Sequence, residues 1–164
     1  MNPLVLLFTL LLSLPAWAGK QPEPATFNIE QTVVKVPVAE DLSVEDIRDS
    51  MQSKASELNM KFVAHQPVWQ ELKARGVESG VLEIFQFCNP GDAKEMVDYN
   101  PIFAAYMPCR IALVEDREGQ LWLMMINLDM LINTTPLPPK QKAIAERINR
   151  TLNTILKAAA EGDF

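Results

Sequence analysis

Two cysteines and their neighbours carry the strongest chemical signal in the sequence. Cys88 directly precedes Asn89-Pro90, and Cys109 directly precedes Arg110. Asparagine followed by proline is typical of a helix start, which would place the positive end of a helix dipole beside the Cys88 sulfur. The fixed charge of Arg110 would act on Cys109 in the same way, and both effects lower the pKa of a thiol. Cys88, Asn89, Cys109 and Arg110 are therefore the predicted ligand-binding or redox site.

The sequence leaves the bonding state of the two cysteines open. If the strands beside them run antiparallel, Cys88 and Cys109 fall at the same end of the sheet and could form a disulfide. If the strands run parallel, the cysteines fall at opposite ends and cannot bond. The alternatives are a disulfide, two independent buried thiols, and a redox or ligand site. Cys-x-x-Cys and Cys-x-x-Cys-His are absent, which excludes thioredoxin-like and c-type haem motifs.

Other metal or catalytic signals are weak. His65 is the single histidine, so a site built on paired histidines within one chain is excluded. His65 remains a weak candidate for copper or non-covalent haem, together with a cysteine and a methionine. A lone histidine in a strand is more often a hydrogen-bonded structural residue. No phosphate loop or Ser–His–acid order is present, so the sequence predicts no catalytic residue and specifies no cofactor.

The first eighteen residues have the pattern of a cleaved signal peptide. The run 4–14 is apolar apart from a threonine and a serine, and Ala16-Trp17-Ala18 fits signal peptidase, with cleavage expected before Gly19. The protein is therefore predicted to be periplasmic or secreted, with no membrane span after cleavage. The net charge of −6 argues against nucleic acid as a partner. Residues 19–29 form a predicted flexible lead.

Hydrophobic periodicity predicts eight elements in the rest of the chain. The expected order is strand, helix, two strands, a broken helix, two strands and a helix. This order is typical of a single α+β domain with a mostly antiparallel sheet and helices packed on one face. The domain is assigned to residues 30–132, followed by a proline linker and a C-terminal amphipathic helix within 133–164. The expected elements are a strand over 32–38, a helix from Ser43 to about Asn59, strands over 61–68 and 81–87, helix starts at 89–90 and 100–101, a hairpin of strands 111–114 and 121–126, and the tail helix to Gly162.

Residues 81–132 resemble the domain of unknown function 302 family. The resemblance rests on Asn89-Pro90, Asn100-Pro101 and Pro108-Cys109-Arg110-Ile111, followed by two strands around an acidic turn with Gly119. It extends over residues 30–132, with the C-terminal helix as an extension. It implies a compact α+β domain with a TATA-binding-protein-like antiparallel sheet, dimeric in some members. The family has no established activity, so no catalytic residues carry over.

Three functions are consistent with these features. The favoured one is a non-catalytic accessory protein that binds a small ligand, a metal or a cofactor in an apolar cleft edged by the four predicted site residues. In that hypothesis Asn89 and the helix start receive an anionic group, and Arg110 pairs with it. The second is a periplasmic thiol/disulfide redox protein that uses Cys88 and Cys109. The third is a structural domain that forms homodimers.

Overall fold

Five antiparallel strands form one sheet in the order β1-β5-β4-β3-β2. The structure, a computed structural model, describes residues 28–163. The first strand lies at an edge of the sheet, and Pro37 lies at its end, where a missing N–H costs no ladder hydrogen bond. The apolar strand predicted over 81–87 is an interior strand, with a neighbour on each side. The strands are β1 (Val33–Pro37), β2 (Lys61–Pro67), β3 (Leu82–Cys88), β4 (Cys109–Glu115) and β5 (Leu121–Ile126).

Most of the described helices begin at a residue whose side chain accepts a hydrogen bond from the first N–H groups. The Asp46 N–H donates to Ser43 Oγ at 3.1 Å, and the Ser43 N–H donates to the Asp46 carboxylate at 3.0 Å, which forms a capping box at the helix start predicted at Ser43. Asn89 and Asn100 cap the two halves of the broken helix, as their Asn-Pro pairs predicted. The helices are α1 (Val44–Glu57), α2 (Val68–Ala74), α3 (Pro90–Tyr99), α4 (Leu128–Thr134) and α5 (Pro139–Glu161), with 3-10 helices at Ile29–Thr32 and Pro101–Tyr106.

Helix α2 was not predicted from the sequence. Its N-cap is Pro67, which provides no side-chain hydrogen bond to the first N–H groups. None of its seven residues is fully buried, and its apolar stripe consists of three half-buried side chains only: Val68, Trp69 and Leu72. The helix forms because it follows the edge strand β2 and packs beside β3. Tertiary contact rather than local sequence therefore determines this element.

The core lies on one face of the sheet, beneath α1 and α5. Ile47 and Met51 of α1 and Ile155 of α5 are fully buried there, against strand residues such as Leu113. The architecture is thus α+β, with helices on one face of an antiparallel sheet. A helix of the length of α5 extends about 35 Å, whereas the strands extend at most about 24 Å. The N-terminal part of α5 consequently reaches past the sheet.

The predicted signal peptide, residues 1–18, and most of the predicted lead, residues 19–29, lie outside the described residues. The expectations on cleavage and flexibility therefore stay predictions. Among residues 28–163, none of the helices combines the length and the apolar character that crossing a bilayer requires.

Substitution of Gly162 tests how α5 is anchored to the loop before α1. Gly162 ends α5 with a φ of +72°, and a Cβ there would lie 2.6 Å from Leu42 Cδ2. We expect Gly162→Ala to lower the free energy of unfolding by more than the ~1 kcal/mol that a left-handed alanine costs by itself. Gly76→Ala is the matched control, since φ is +74° there and nothing lies within 4 Å. Equal losses in urea unfolding of the two variants would show that the Leu42 contact is unimportant.

Candidate functional site

An apolar cleft lies where the N-terminal part of α5 passes beyond the sheet. The ends of β3 and β4 form its floor, and α3, the 3-10 helix Pro101–Tyr106 and α4 form its other walls. Its volume is about 290 Å³. The lining side chains are mostly apolar: Met60, Ala93, Met96, Ile102, Phe103, Tyr106, Met107, Leu128, Leu131, Ile132, Leu137, Ile144, Ala145 and Ile148, together with Cys88, Asn89, Asp92, Cys109 and Thr135.

Three of the four predicted site residues line this cleft. Cys88, Asn89 and Cys109 are among the lining residues, and Arg110 is not. Arg110 is exposed and lies between Cys109, which packs against the core, and Ile111, which is fully buried. Because adjacent strand residues point to opposite faces, Arg110 projects from the face without helices. The guanidinium is therefore not positioned to pair with a ligand in the cleft.

Asn89 is fully engaged in the local structure. Its carboxamide oxygen accepts from the Gly91 and Asp92 N–H groups at 3.0 and 3.1 Å, and its Nδ2 donates to the Asn59 carbonyl at 3.3 Å. The Asp92 carboxylate accepts from the Arg147 guanidinium. The start of α3 is thus capped by the chain itself. The expected anion-binding role of Asn89 and this helix start would require these bonds to be broken.

Cys88 and Cys109 are free thiols, and the disulfide left open by the sequence is not formed. Strands β3 and β4 do run antiparallel, so both cysteines lie at the same end of the sheet. The register pairs Cys109 with Phe87, which leaves Cys88 one residue farther along. Since Phe87 is fully buried on the core face, the alternation directs Cys88 away from that face. Cys88 also lines a shallow groove outside the cleft, with Lys61 among its neighbours.

The pKa values of both thiols are raised rather than lowered. Burial raises the pKa of Cys109 to about 11, and the neighbouring Cys88 adds to this effect. Burial, and then the nearby Asp92 carboxylate, raise the pKa of Cys88. The predicted lowering by the helix dipole and by Arg110 was therefore wrong. The Asp92 carboxylate lies in the first turn of α3, near Cys88, and Arg110 projects from the sheet face without helices. Neither predicted effect therefore outweighs the desolvation of the thiols, which raises both pKa values.

A second polar cluster lies at the other end of β3 and was missed in the sequence. Glu83 is fully buried, and its carboxylate accepts hydrogen bonds from Arg48, His65 and Trp69. Arg48 donates through two nitrogens, with Nε 2.8 Å from Oε2, and Trp69 Nε1 is 2.7 Å from Oε1. We call these four residues the Glu83 cluster. Its sequence signal is a lone carboxylate in the mainly apolar strand β3, because such a group must be paired when buried.

The Glu83 cluster fixes the role of His65. Burial alone would raise the pKa of Glu83, but the hydrogen bonds from Arg48, Trp69 and His65 outweigh it and hold the pKa below its usual range. An ionised carboxylate only accepts, so His65 Nε2, at 2.8 Å from Oε2, carries the proton. The imidazole also stacks on Phe85, with ring centroids 4.6 Å apart. His65 thus has a structural role, as its position in a strand favoured.

The described part of the chain contains no conventional metal site. Across residues 28–163, no group of three or more histidine, cysteine, aspartate or glutamate side chains is arranged to hold a metal ion. His65 is bonded to Glu83 and does not line the cleft that contains the cysteines. The predicted combination of His65 with a cysteine is therefore not brought together.

Removal of the buried charge tests the Glu83 cluster. Glu83→Gln leaves Arg48 without its carboxylate, and we expect a loss of about 3 kcal/mol in the free energy of unfolding. The folded-state pKa of Glu83 lies below the unfolded value of about 4.5. Its stabilisation is therefore complete above that pH and is lost as the pH falls through the folded-state value. Urea unfolding between pH 3 and 7 should show a weaker acid dependence for the variant. Glu71→Gln, on the exposed side of α2, is the control, and equal stability of both variants would refute the assignment.

Thiol alkylation tests the raised pKa of Cys109. At pH 7.5 a pKa of about 11 leaves about a hundredfold less thiolate than the ordinary value of 9.0. We expect iodoacetamide to modify Cys109 much more slowly than the less buried Cys88, as followed by peptide mass spectrometry. In urea the two rates should become similar, which provides the control. Faster modification of Cys109 than of Cys88 in the folded protein would contradict this prediction.

Comparisons with known proteins agree with the fold. The family described as "Domain of unknown function DUF302" matches residues 34–159. A solved structure, the crystal structure of an uncharacterized conserved DUF302 protein from Bacillus stearothermophilus, is similar with a TM-score of 0.66 and 19% sequence identity. The match covers 78% of this chain and 98% of that chain, and at this identity it shows the fold alone. No curated protein shows significant sequence similarity. The match over residues 34–159 shows that this chain belongs to the DUF302 family.

Proposed function

We propose that this protein binds a small, neutral, apolar molecule in the cleft between α3, α4 and α5, and has no catalytic activity of its own. The observation that carries the proposal is a cleft of about 290 Å³ whose lining is nearly all apolar. Concave, mainly apolar clefts with a few polar groups are the usual form of small-molecule sites. A volume near the lower end of the range for such sites suits a ligand with one or two rings or a short chain.

The state of the polar groups favours a neutral ligand. Asn89 is used as a cap, and Asp92 is paired with Arg147. Within residues 28–163 every buried side-chain nitrogen or oxygen has a hydrogen-bond partner. A charged ligand would lose its hydration in the cleft without gaining a partner that is still available, and this is costly. An apolar ligand incurs no such penalty and gains about 25 cal/mol per Å² of apolar surface buried.

Sulfur atoms give the cleft a further preference. Met60, Met96 and Met107 line it together with Cys88 and Cys109. Thioether sulfur is polarisable and contacts aromatic rings favourably, by about 0.3–1.5 kcal/mol. Methionine side chains also change rotamer easily, which lets the walls fit ligands of different shape. These properties favour an aromatic or unsaturated ligand over a saturated one.

The redox alternative has less support. A dithiol that cycles needs thiolate character and a bond between its sulfurs. Here both thiols have raised pKa values, and the register offsets the cysteines by one residue. Those two observations argue against Cys88 and Cys109 as a catalytic couple.

The proposed place of action is the periplasm or the extracellular medium. The support is the pattern of residues 1–18, an apolar run followed by Ala16-Trp17-Ala18. A mature chain that begins at Gly19, found by intact-mass measurement after expression in an exporting host, would support this location. A chain that retains Met1 would contradict it.

A tryptophan placed in the cleft tests ligand binding. Ala145 of α5 lines the cleft, whereas Ala143 of the same helix is exposed. We expect the neutral two-ring fluorescent probe 1-naphthylamine to bind the protein with a stoichiometry of one. Ala145→Trp should weaken the probe about tenfold or more, since the indole occupies much of a cleft of this size. Ala143→Trp makes the same substitution on the other side of the helix and should leave binding unchanged.

Circular dichroism and thermal unfolding of both variants exclude a loss of folding as the cause. Native mass spectrometry of the purified protein would then identify any resident molecule that is released on denaturation. If Ala145→Trp binds the probe as well as the unchanged protein does, the cleft is not the binding site and the proposal is wrong.

A further inference from the structure

The 3-10 helix Pro101–Tyr106 carries no charged side chain and is nevertheless mostly exposed. Its sequence is Pro-Ile-Phe-Ala-Ala-Tyr, and every residue except Phe103 is exposed. Ile102 and Tyr106 expose 64% and 51% of their area, and Tyr99 at the end of α3 exposes 46%. We call Pro101–Tyr106 the projecting segment. Contiguous exposed apolar surface of this kind marks a contact with a protein or with a membrane.

Aromatic rings run along the projecting segment. The Phe103 ring lies between those of Tyr99 and Tyr106, with centroid distances of 6.2 and 6.4 Å. Tyrosine has an apolar ring and a polar hydroxyl, and it is enriched where the headgroups of a bilayer meet the hydrocarbon. A row with tyrosines at both ends therefore suits the headgroup layer of a membrane.

The projecting segment also borders the mouth of the cleft. Ile102 and Tyr106 line the cleft and are at the same time more than half exposed, so they lie where it opens. An apolar ligand is more soluble in a bilayer than in water. Contact of the projecting segment with a bilayer would therefore bring the mouth of the cleft to the place where such a ligand accumulates.

The acidic residues near the projecting segment are few and mostly paired. No aspartate or glutamate occurs between residues 99 and 114. Across the cleft, the Asp129 carboxylate of α4 accepts from Asn149 Nδ2 at 2.7 Å. The three acids of α3 all lie in ion pairs, which are Asp92–Arg147, Glu95–Lys140 and Asp98–Lys94. The elements that adjoin the projecting segment, α3 and the first half of β4, thus contribute no unpaired negative charge.

Exposed basic residues lie at the same end of the molecule. Lys61 begins β2 opposite Cys88, and Arg110 is the second residue of β4. Lys142 lies in the N-terminal part of α5, which passes the cleft. All three are exposed. Basic residues beside an exposed apolar segment are complementary to the anionic lipids of a membrane surface.

Much of the negative charge of the chain lies at the opposite end of the sheet. The loops 38–43 and 75–81 and the turn 116–120 are at that end. They carry a net −3 of the total of −6, from Glu40, Asp41, Glu78, Asp116 and Glu118 against Arg75 and Arg117. The strands extend up to about 24 Å, whereas physiological salt screens charges over about 8 Å. The acidic balance of the chain therefore does not prevent the projecting segment from approaching an anionic surface.

We propose that this protein docks on an anionic membrane surface through the projecting segment, with Tyr99, Ile102 and Tyr106 in the headgroup layer and Lys61 and Arg110 against lipid phosphates. Docking turns the mouth of the cleft towards the bilayer, so that a neutral ligand passes between the two without crossing bulk water. The docking depends on this surface alone, whereas the bilayer as the source of the ligand rests on the proposed function of the cleft.

Flotation with vesicles of phosphatidylcholine and phosphatidylglycerol in equal parts tests the docking. We expect the purified protein to float with these vesicles, and to bind less to phosphatidylcholine alone or at high salt. Ala104→Glu places a carboxylate on the exposed side of the projecting segment and should lower the partition coefficient about fivefold or more, whereas Ala104→Lys should raise it.

Ala74→Glu is the matched control for Ala104→Glu. Ala74 is exposed at the end of α2, near the opposite end of the sheet, so the same added charge there should leave vesicle binding unchanged. Circular dichroism of each variant establishes that it is folded. Equal flotation of Ala104→Glu and Ala74→Glu, or no flotation of the unchanged protein, would overturn the proposal.

Probe binding separates the docking from the function of the cleft. Neither Ala104 nor Ala74 lines the cleft, so both variants should bind 1-naphthylamine in vesicle-free solution as the unchanged protein does. Probe binding without flotation would overturn the docking alone, whereas flotation without probe binding would support the docking and overturn the proposed ligand. If the unchanged protein does not float but self-associates in sedimentation velocity, and Ala104→Glu abolishes this, the segment contacts a second copy and the proposal is wrong.

Discussion

The length of α5 relative to the sheet is the constraint on which the candidate site depends. A helix of 23 residues extends about 35 Å and outreaches strands of at most about 24 Å. Its C-terminal half, with Ile155 and Ala159, belongs to the core, whereas Ile144 and Ile148 line the cleft. An apolar helix face cannot remain in water beyond the sheet, so α3, α4 and the 3-10 helix Pro101–Tyr106 cover it. They do so incompletely, and the remaining space is the cleft.

The two ends of β3 differ in the kind of contacts that surround them. At one end Glu83 is a buried charge with donors from α1, α2 and β2, and its geometry is defined by directional hydrogen bonds. About 17 Å away, the end at Cys88 borders a cleft lined with methionine and other apolar side chains, where non-directional contacts prevail. A rigid end and an adaptable end on one strand are consistent with a domain that remains folded while its cleft adjusts to a ligand.

Local signals predicted much of the fold, and non-local ones explain what was missed. The cap at Ser43 and the Asn-Pro pairs at residues 89–90 and 100–101 depend on neighbours in sequence, and they were predicted correctly. The apolar cleft was also expected, with three of its lining residues. The Glu83 cluster was missed because its donors lie up to 35 residues away, on elements whose facing sides depend on packing. The predicted lowering of the thiol pKa values was wrong because the shifts depend on two features that no motif shows. These are the strand register, which offsets Cys88 from Cys109 by one residue, and the position of Asp92.

The sharing of one acceptor by three donors has a consequence for how this protein can change over evolution. Arg48, His65 and Trp69 all bond to Glu83, so the effect of replacing one of them depends on which of the others is still present. Replacement of Glu83 first would leave Arg48 without a counter-charge, whereas loss of the donors first would leave a buried carboxylate without partners. Substitutions here are epistatic, and relatives are expected to retain or exchange the four positions as a set rather than one at a time.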